Sequence, residues 1–180
     1  MPNKSVKLLL LFILAIFAMQ VSAQSLKLPY KDVGACPFEG CEYRKWTANK
    51  QTIIYKEMRD GSPVAFKVKN REKVTGVTGV VITEKAGMAK ALKSAKLYAN
   101  VGKSTINVKA GETLSILHYQ GEGFYLAWFK NKLYSLDTTE DNFKIVKEPV
   151  TVWWVKIKNS KGQIGWTKLV DNFDGKDRLA

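Results

Sequence analysis

The chain has little cysteine and almost no histidine. Its 180 residues include two cysteines, Cys36 and Cys41, and one histidine, His118. A structural zinc site takes a full set of Cys and His ligands, which these three do not supply. A thiol nucleophile needs a base within hydrogen-bond reach, so Cys36 or Cys41 with His118 is the one arrangement open to it. There is no Gly-rich phosphate loop, nucleophile elbow or helix-borne His pair. DNFDGKD (171–177) sets Asp171, Asp174 and Asp177 around Gly175. A calcium loop spaces its acids at alternate positions and closes on a glutamate, so this stretch reads as an acidic turn. The expectation is no catalytic residue, no metal and no cofactor.

Long apolar runs are equally scarce. The one present, LLLLFILAIFAM (8–19), follows Lys4 and Lys7 and precedes Val21-Ser22-Ala23. A positive start, a short apolar core and small residues ahead of Gln24 make residues 1–23 a secretory signal. The run is shorter than the ~20 residues of a membrane span. The expected product is an exported chain, periplasmic, envelope-associated or extracellular, with no integral span after cleavage. Oxidising compartments pair cysteines, so Cys36 and Cys41 are expected to close a disulfide within GACPFEGCEYRKW (34–46), with Pro37 and Gly40 as turn residues. Acidic side chains are also few, 16 against 29 Lys and Arg, for a formal charge of +13. Such a balance favours anionic partners: cell-wall polymers, lipid headgroups, polysaccharides or nucleic acid.

Low-complexity segments and long charge blocks are absent. Short apolar runs broken by Gly, Asn, Asp and Lys fill the chain, a pattern of strands. Examples are TIIY (52–55), KVTGVTGVVIT (73–83), TLSILHY (113–119), FYLAWF (124–129), TVWWVKI (151–157) and GQIGWT (162–167). KNK (130–132) predicts a tight hairpin through Asn131, and NSKG (159–162) a second turn using Gly162. EKAGMAKALKSAKLY (84–98) stays open between two readings. Met88, Leu92 and Ala95 have the spacing of a basic amphipathic helix at a membrane surface, but the apolar face is mostly alanine, which favours a strand and connector or a short packing helix. VKNREKVTGV (68–77) aligns with VKAGETLSIL (108–117), matching Val68, Lys69 and Glu72 to Val108, Lys109 and Glu112. Two copies are too few for a solenoid and fit two small related β units.

The motifs AGETLSIL (110–117), WWVKI (153–157) and GQIGWT (162–167) resemble a bacterial Src-homology-3 (SH3-like) domain. That family pairs a Gly-acid step with a Trp-led strand, a polar turn and a closing Gly-Trp. Residues 46–95 carry only the opening motif, with Arg71 where the second copy has Gly111. The resemblance implies a mainly β chain: two small SH3-like β-barrel units in tandem, 46–95 and 96–180, after a disulfide-clipped segment 24–45. Residues 135–150 read as an insertion in the second unit. Alternation puts Trp153, Val155 and Ile157 on a core face and Trp154, Lys156 and Lys158 on the opposite face. Aromatic residues interleaved with lysines suit sugars, proline peptides or single-stranded nucleic acid. Tyr119, Tyr125, Trp128, Trp154 and Lys156 are the expected ligand-binding residues. The resemblance implies a non-enzymatic envelope module that recognises cell-wall material or a peptide. The alternatives are a thiol-dependent hydrolase or redox protein using Cys36 and Cys41, and a basic nucleic-acid or polysaccharide binder.

Overall fold

The computed structural model describes residues 25–179. The expected signal, 1–23, lies outside them. The described chain is mainly β, with one 3₁₀ turn at Val170–Asn172. Among the described residues no helix is long and apolar enough to cross a membrane.

Two β-sheet units form. The first takes β1 (Tyr30–Val33), β2 (Lys45–Ala48), β3 (Thr52–Tyr55), β4 (Val64–Val68) and the long β5 (Lys73–Lys85). The second takes β6 (Gly87–Ala91), β7 (Ala95–Ala99), β8 (Thr105–Val108), β9 (Thr113–Gly121), β10 (Phe124–Phe129), β11 (Lys132–Asp137) and β12 (Phe143–Lys147). The chain then returns to the first sheet as β13 (Val150–Lys158), β14 (Ile164–Thr167) and β15 (Phe173–Asp174). The division expected at residue 95 therefore does not follow the pairing. Strand β13 runs antiparallel along β5 from Val150↔Lys85 to Lys158↔Thr75, which draws WWVKI and GQIGWT into the first sheet. Strand β12 pairs with β6 and closes the second sheet within 87–147. Residues 135–150 are not an insertion: they hold the end of β11 and all of β12. Residues 84–98 form strands, ending the helix alternative.

The internal repeat extends to seven strands of each sheet, and β1, which pairs with β5 as an eighth strand of the first, has no counterpart in the second. The first sheet is ordered β15-β2-β5-β13-β14-β3-β4 and the second β12-β6-β9-β10-β11-β7-β8. Equivalent strands occupy equivalent places in both. The VKxxE turn repeats bond for bond. The Lys69 N–H donates to Glu72 Oε2 at 2.9 Å, and the Lys109 N–H to Glu112 Oε2 at 2.7 Å. The Arg71 N–H donates to the Ala48 carbonyl at 2.7 Å, and the Gly111 N–H to the Ala91 carbonyl at 2.8 Å. The Lys109 N–H, and then the Lys130 ammonium, hold the Glu112 carboxyl below its ordinary pKa. Arg71 sits at φ 65° where Gly111 sits at φ 87°. A left-handed backbone costs a residue with a Cβ about 1 kcal/mol, so the arginine is not there for the turn's sake.

Each unit has its own core. The first is built on Trp46, Ile54, Trp153, Val155, Ile157 and Phe173, the second on Leu97, Leu114, Ile116, Phe129, Leu136 and Phe143. Volume is conserved by exchange across the sheet. Trp46 precedes Ala48 as Ala89 precedes Ala91, and Gly76 lies where the repeat places Ile116. The first unit thus packs a large ring over glycine, and the second a small residue beside isoleucine. A Cβ on Gly76 would meet Trp46 Cζ2 at 2.7 Å. The expected hairpin of the second unit is present, with Lys130 and Asn131 both at positive φ, as a two-residue turn between twisted strands requires.

The N-terminal segment joins the units. Cys36 and Cys41 form a disulfide with Cα atoms 5.9 Å apart. Phe38 packs edge-on against Trp153, and the Tyr43 hydroxyl donates to the Ala35 carbonyl while accepting from Trp153 Nε1. Burial pushes the Tyr43 phenol above its ordinary pKa. Arg44 donates to the Gly175 and Asp177 carbonyls, which fastens the C-terminal tail to the clip. On the other side, Asp32 meets His118 Nε2 at 2.8 Å, and Thr83 Oγ1 donates to the Leu117 carbonyl at 2.8 Å. His118 is 1% exposed. The bulge in β9 beside Leu117 turns consecutive residues inward there. The disulfide closes a short loop, so a Cys36→Ser/Cys41→Ser variant should lose about 2 kcal/mol of stability, read as a lower urea midpoint at unchanged slope. An unchanged midpoint would mean the clip holds without its bridge.

Candidate functional site

The five residues expected to bind ligand do not share one surface. Tyr119 and Tyr125 come together on neighbouring strands β9 and β10, ring centroids 5.2 Å apart in an edge-to-face pair. Tyr119 is partly exposed, and its hydroxyl accepts from the Gly123 N–H at 3.1 Å. The Tyr125 hydroxyl lies 3.3 Å from the Glu148 carboxylate. Burial, then the Glu148 charge, raise the Tyr125 phenol above its ordinary pKa, so it stays a neutral donor. Trp128 lies on the same strand but, by alternation, on the opposite face. Trp154 and Lys156 belong to β13 of the first unit. Lys156 sits over Trp166 at 5.1 Å from the ring centroid, and Trp154 is only 5% exposed.

A cleft of about 440 Å³ opens on the second unit, and neither tyrosine of the pair lines it. Its apolar lining is Ala95, Leu97 and Tyr98 of β7, Phe124 of β10 and Phe143 of β12. Tyr98 is 64% exposed, and Lys96, Asp137 and Glu140 supply charge at the rim. The rim is fixed. Asp137 Oδ1 accepts from the Thr139 N–H at 2.8 Å and its hydroxyl at 2.6 Å, and Glu140 Oε2 accepts from Asn142 Nδ2 at 2.6 Å. The Gly123 carbonyl accepts from the Thr138 hydroxyl at 2.6 Å, and the Gly123 N–H donates to the Tyr119 hydroxyl at 3.1 Å. Sequence reasoning missed Tyr98, Phe124, Asp137 and Glu140. Tyr98 stood in the stretch left open between helix and strand, and the two acids in what read as an insertion. The strand order of the sheet, which brings β7 beside β11, was the missing signal.

Such a cleft is suited to an apolar or ring-shaped group with an amine or hydroxyl at its edge: the aromatic faces take the ring and the carboxylates the polar end. Thiol chemistry has less to draw on. Both sulfurs are in the disulfide, and the two ring nitrogens of His118 face Asp32 and the Tyr119 carbonyl. Among the described residues, no group of three or more His, Cys, Asp and Glu is placed to hold a metal ion.

No family model, curated protein or solved structure matches the chain.

Proposed function

We propose that the chain is an exported, non-enzymatic binding module of the bacterial cell envelope, built from two SH3-like units, that takes up cell-wall material or a peptide in the cleft of its second unit. The observation that carries this reading is the Tyr98–Phe124 cleft, with Asp137 and Glu140 held in place at its rim. An exposed tyrosine on a hydrogen-bonded support offers contact area at low entropic cost, as binding surfaces do. Two features support the SH3-like assignment. The units share one strand order, and in the first a 3₁₀ turn leads into a last strand paired with β2. The signal-like start and the disulfide support export.

The test is retention on purified peptidoglycan and on an immobilised cell-wall peptide. Tyr98→Ala should weaken retention about tenfold or more, as truncation of a binding anchor does. Its melting temperature should stay within a degree or so of the parent, because an exposed side chain contributes little to folding. Negligible retention of the parent on both materials would remove the proposal. Equal retention of parent and variant would move the site elsewhere.

A further inference from the structure

We propose that the first unit carries a second binding site, a basic cleft for a flexible phosphate-bearing polymer. A cleft of about 440 Å³ lies between the VKNRE turn and the turn joining β13 to β14, and Lys67, Lys69, Arg71 and Lys161 line it. A smaller neighbour shares Asn159 as a wall and adds Lys45, Lys73 and Lys158. All of these cations are exposed, and among the described residues none has a carboxylate within 4.0 Å. The one carboxylate in the larger cleft, Glu72, accepts from the Lys69 N–H and lies more than 4.0 Å from each of these cations' charged nitrogens. The shared wall is rigid: Asn159 is nearly buried, donates to Gln163 Oε1 at 2.8 Å and accepts from the Lys161 and Gln163 N–H groups.

The second unit serves as an internal control. It makes the same turn with Asn107, Gly111 and Thr113 where the first unit has Lys67, Arg71 and Lys73. Its cation at the β10–β11 turn, Lys130, is paired with Glu112 at 3.3 Å. The fold therefore does not need the charges of Lys67, Arg71 and Lys73, while Lys69 has a counterpart in Lys109. Arg71 also holds a left-handed backbone that its counterpart fills with glycine, so the chain keeps a guanidinium at a conformational cost.

The occupant follows from what lines the two clefts. Unpaired cations in two adjoining clefts match a chain of charges better than one small anion. Six of the seven are lysines, compact point charges suited to a mobile polymer rather than to one bidentate contact. Neither cleft has an aromatic side chain. Bases and sugar rings bind by stacking on aromatic faces, so a polymer of phosphates joined by small linkers fits best.

The probe is fluorescent inorganic polyphosphate, titrated with the full chain over a salt series. Binding is expected at low salt and should weaken linearly on a log–log plot, with the slope reduced by about 0.7 for each cation removed. Lys67→Gln/Lys161→Gln should lose about tenfold in affinity. Arg71→Gly should lose affinity while its melting temperature holds or rises. Lys93→Gln/Lys103→Gln, exposed charges of the second unit, should change nothing beyond experimental error. The proposal is overturned by no binding at low salt, by first-unit variants that bind like the parent, or by the second-unit control losing as much. A lowered melting temperature for Arg71→Gly would show that the arginine serves the turn and would also overturn it. So would tighter binding to a single-stranded oligonucleotide of equal charge or to phosphatidylglycerol vesicles. The cleft of the second unit is untouched by these variants, so retention on peptidoglycan is decided separately.

Discussion

Trp46→Ala should unfold the first unit under conditions where the parent chain is intact. The ring is 1% exposed and lies at the centre of the first core, with centroids 6.1 Å from Phe173, 6.2 Å from Tyr43 and 6.4 Å from Trp153. Its Nε1–H donates to the Glu42 carbonyl at 2.9 Å, so it also anchors the segment that follows the disulfide. Removing a buried tryptophan costs about 3–5 kcal/mol in lost transfer energy and cavity. That is a large share of the ~5–15 kcal/mol that keeps a domain folded. The cavity cannot collapse easily, because the side of Trp46 facing β5 is bounded by Gly76, which has no side chain to move in. Denaturant unfolding followed by tryptophan fluorescence reads the loss as a fall in midpoint. The repeat supplies the rescue: Trp46→Ala/Gly76→Ile copies Ala89 and Ile116 of the second unit and should recover part of the loss. A midpoint for Trp46→Ala equal to the parent's would show that the first core does not depend on this ring.

How much of this was legible in the sequence depends on the range of the interaction involved. Alternation along TVWWVKI sent Trp153, Val155 and Ile157 to one face, and all three lie in the first core. Residues two apart on a strand share a face whatever the strand pairs with. The turns at Asn131 and Gly162 were equally local, set by φ requirements that few residues meet. The VKxxE repeat was visible because its glutamate bonds an N–H three residues away in both copies. Partnership between distant strands was not visible. Nothing in residues 150–174 says that they return past a whole unit to β5, because antiparallel pairing of two apolar strands leaves no local mark of its partner. Taking the closing Gly-Trp to belong with the nearest Gly-acid step, at Gly111 and Glu112, misplaced the unit boundary. The cleft was lost with it, since Tyr98 and Asp137 approach only once β7 lies beside β11.

Trp154→Ala should likewise lower stability by about 3–5 kcal/mol and leave ligand retention per folded molecule unchanged. Alternation placed this ring outside the first core, and it is absent from both cores. Lying outside the core did not leave it open: Trp154 is 5% exposed, its register partner Val80 is buried as well, and the Lys168 ammonium sits 5.8 Å from its ring centroid. A ring so covered has little surface left for a ligand, while its removal leaves a void next to Val80 and takes away the Lys168 contact. Lys168→Gln removes the last contribution together with the Lys168–Asp60 ion pair at 2.6 Å, and should cost no more than about 1–2 kcal/mol, the combined scale of an exposed cation–π contact and a surface ion pair. The pair of measurements separates two roles that one assay would confuse. Loss of midpoint with native retention, measured well below the transition, assigns Trp154 to the fold, and Tyr98→Ala should show the opposite pattern. A Trp154→Ala chain with the parent's midpoint and lost retention would return this tryptophan to the binding surface and place a ligand contact on the first unit.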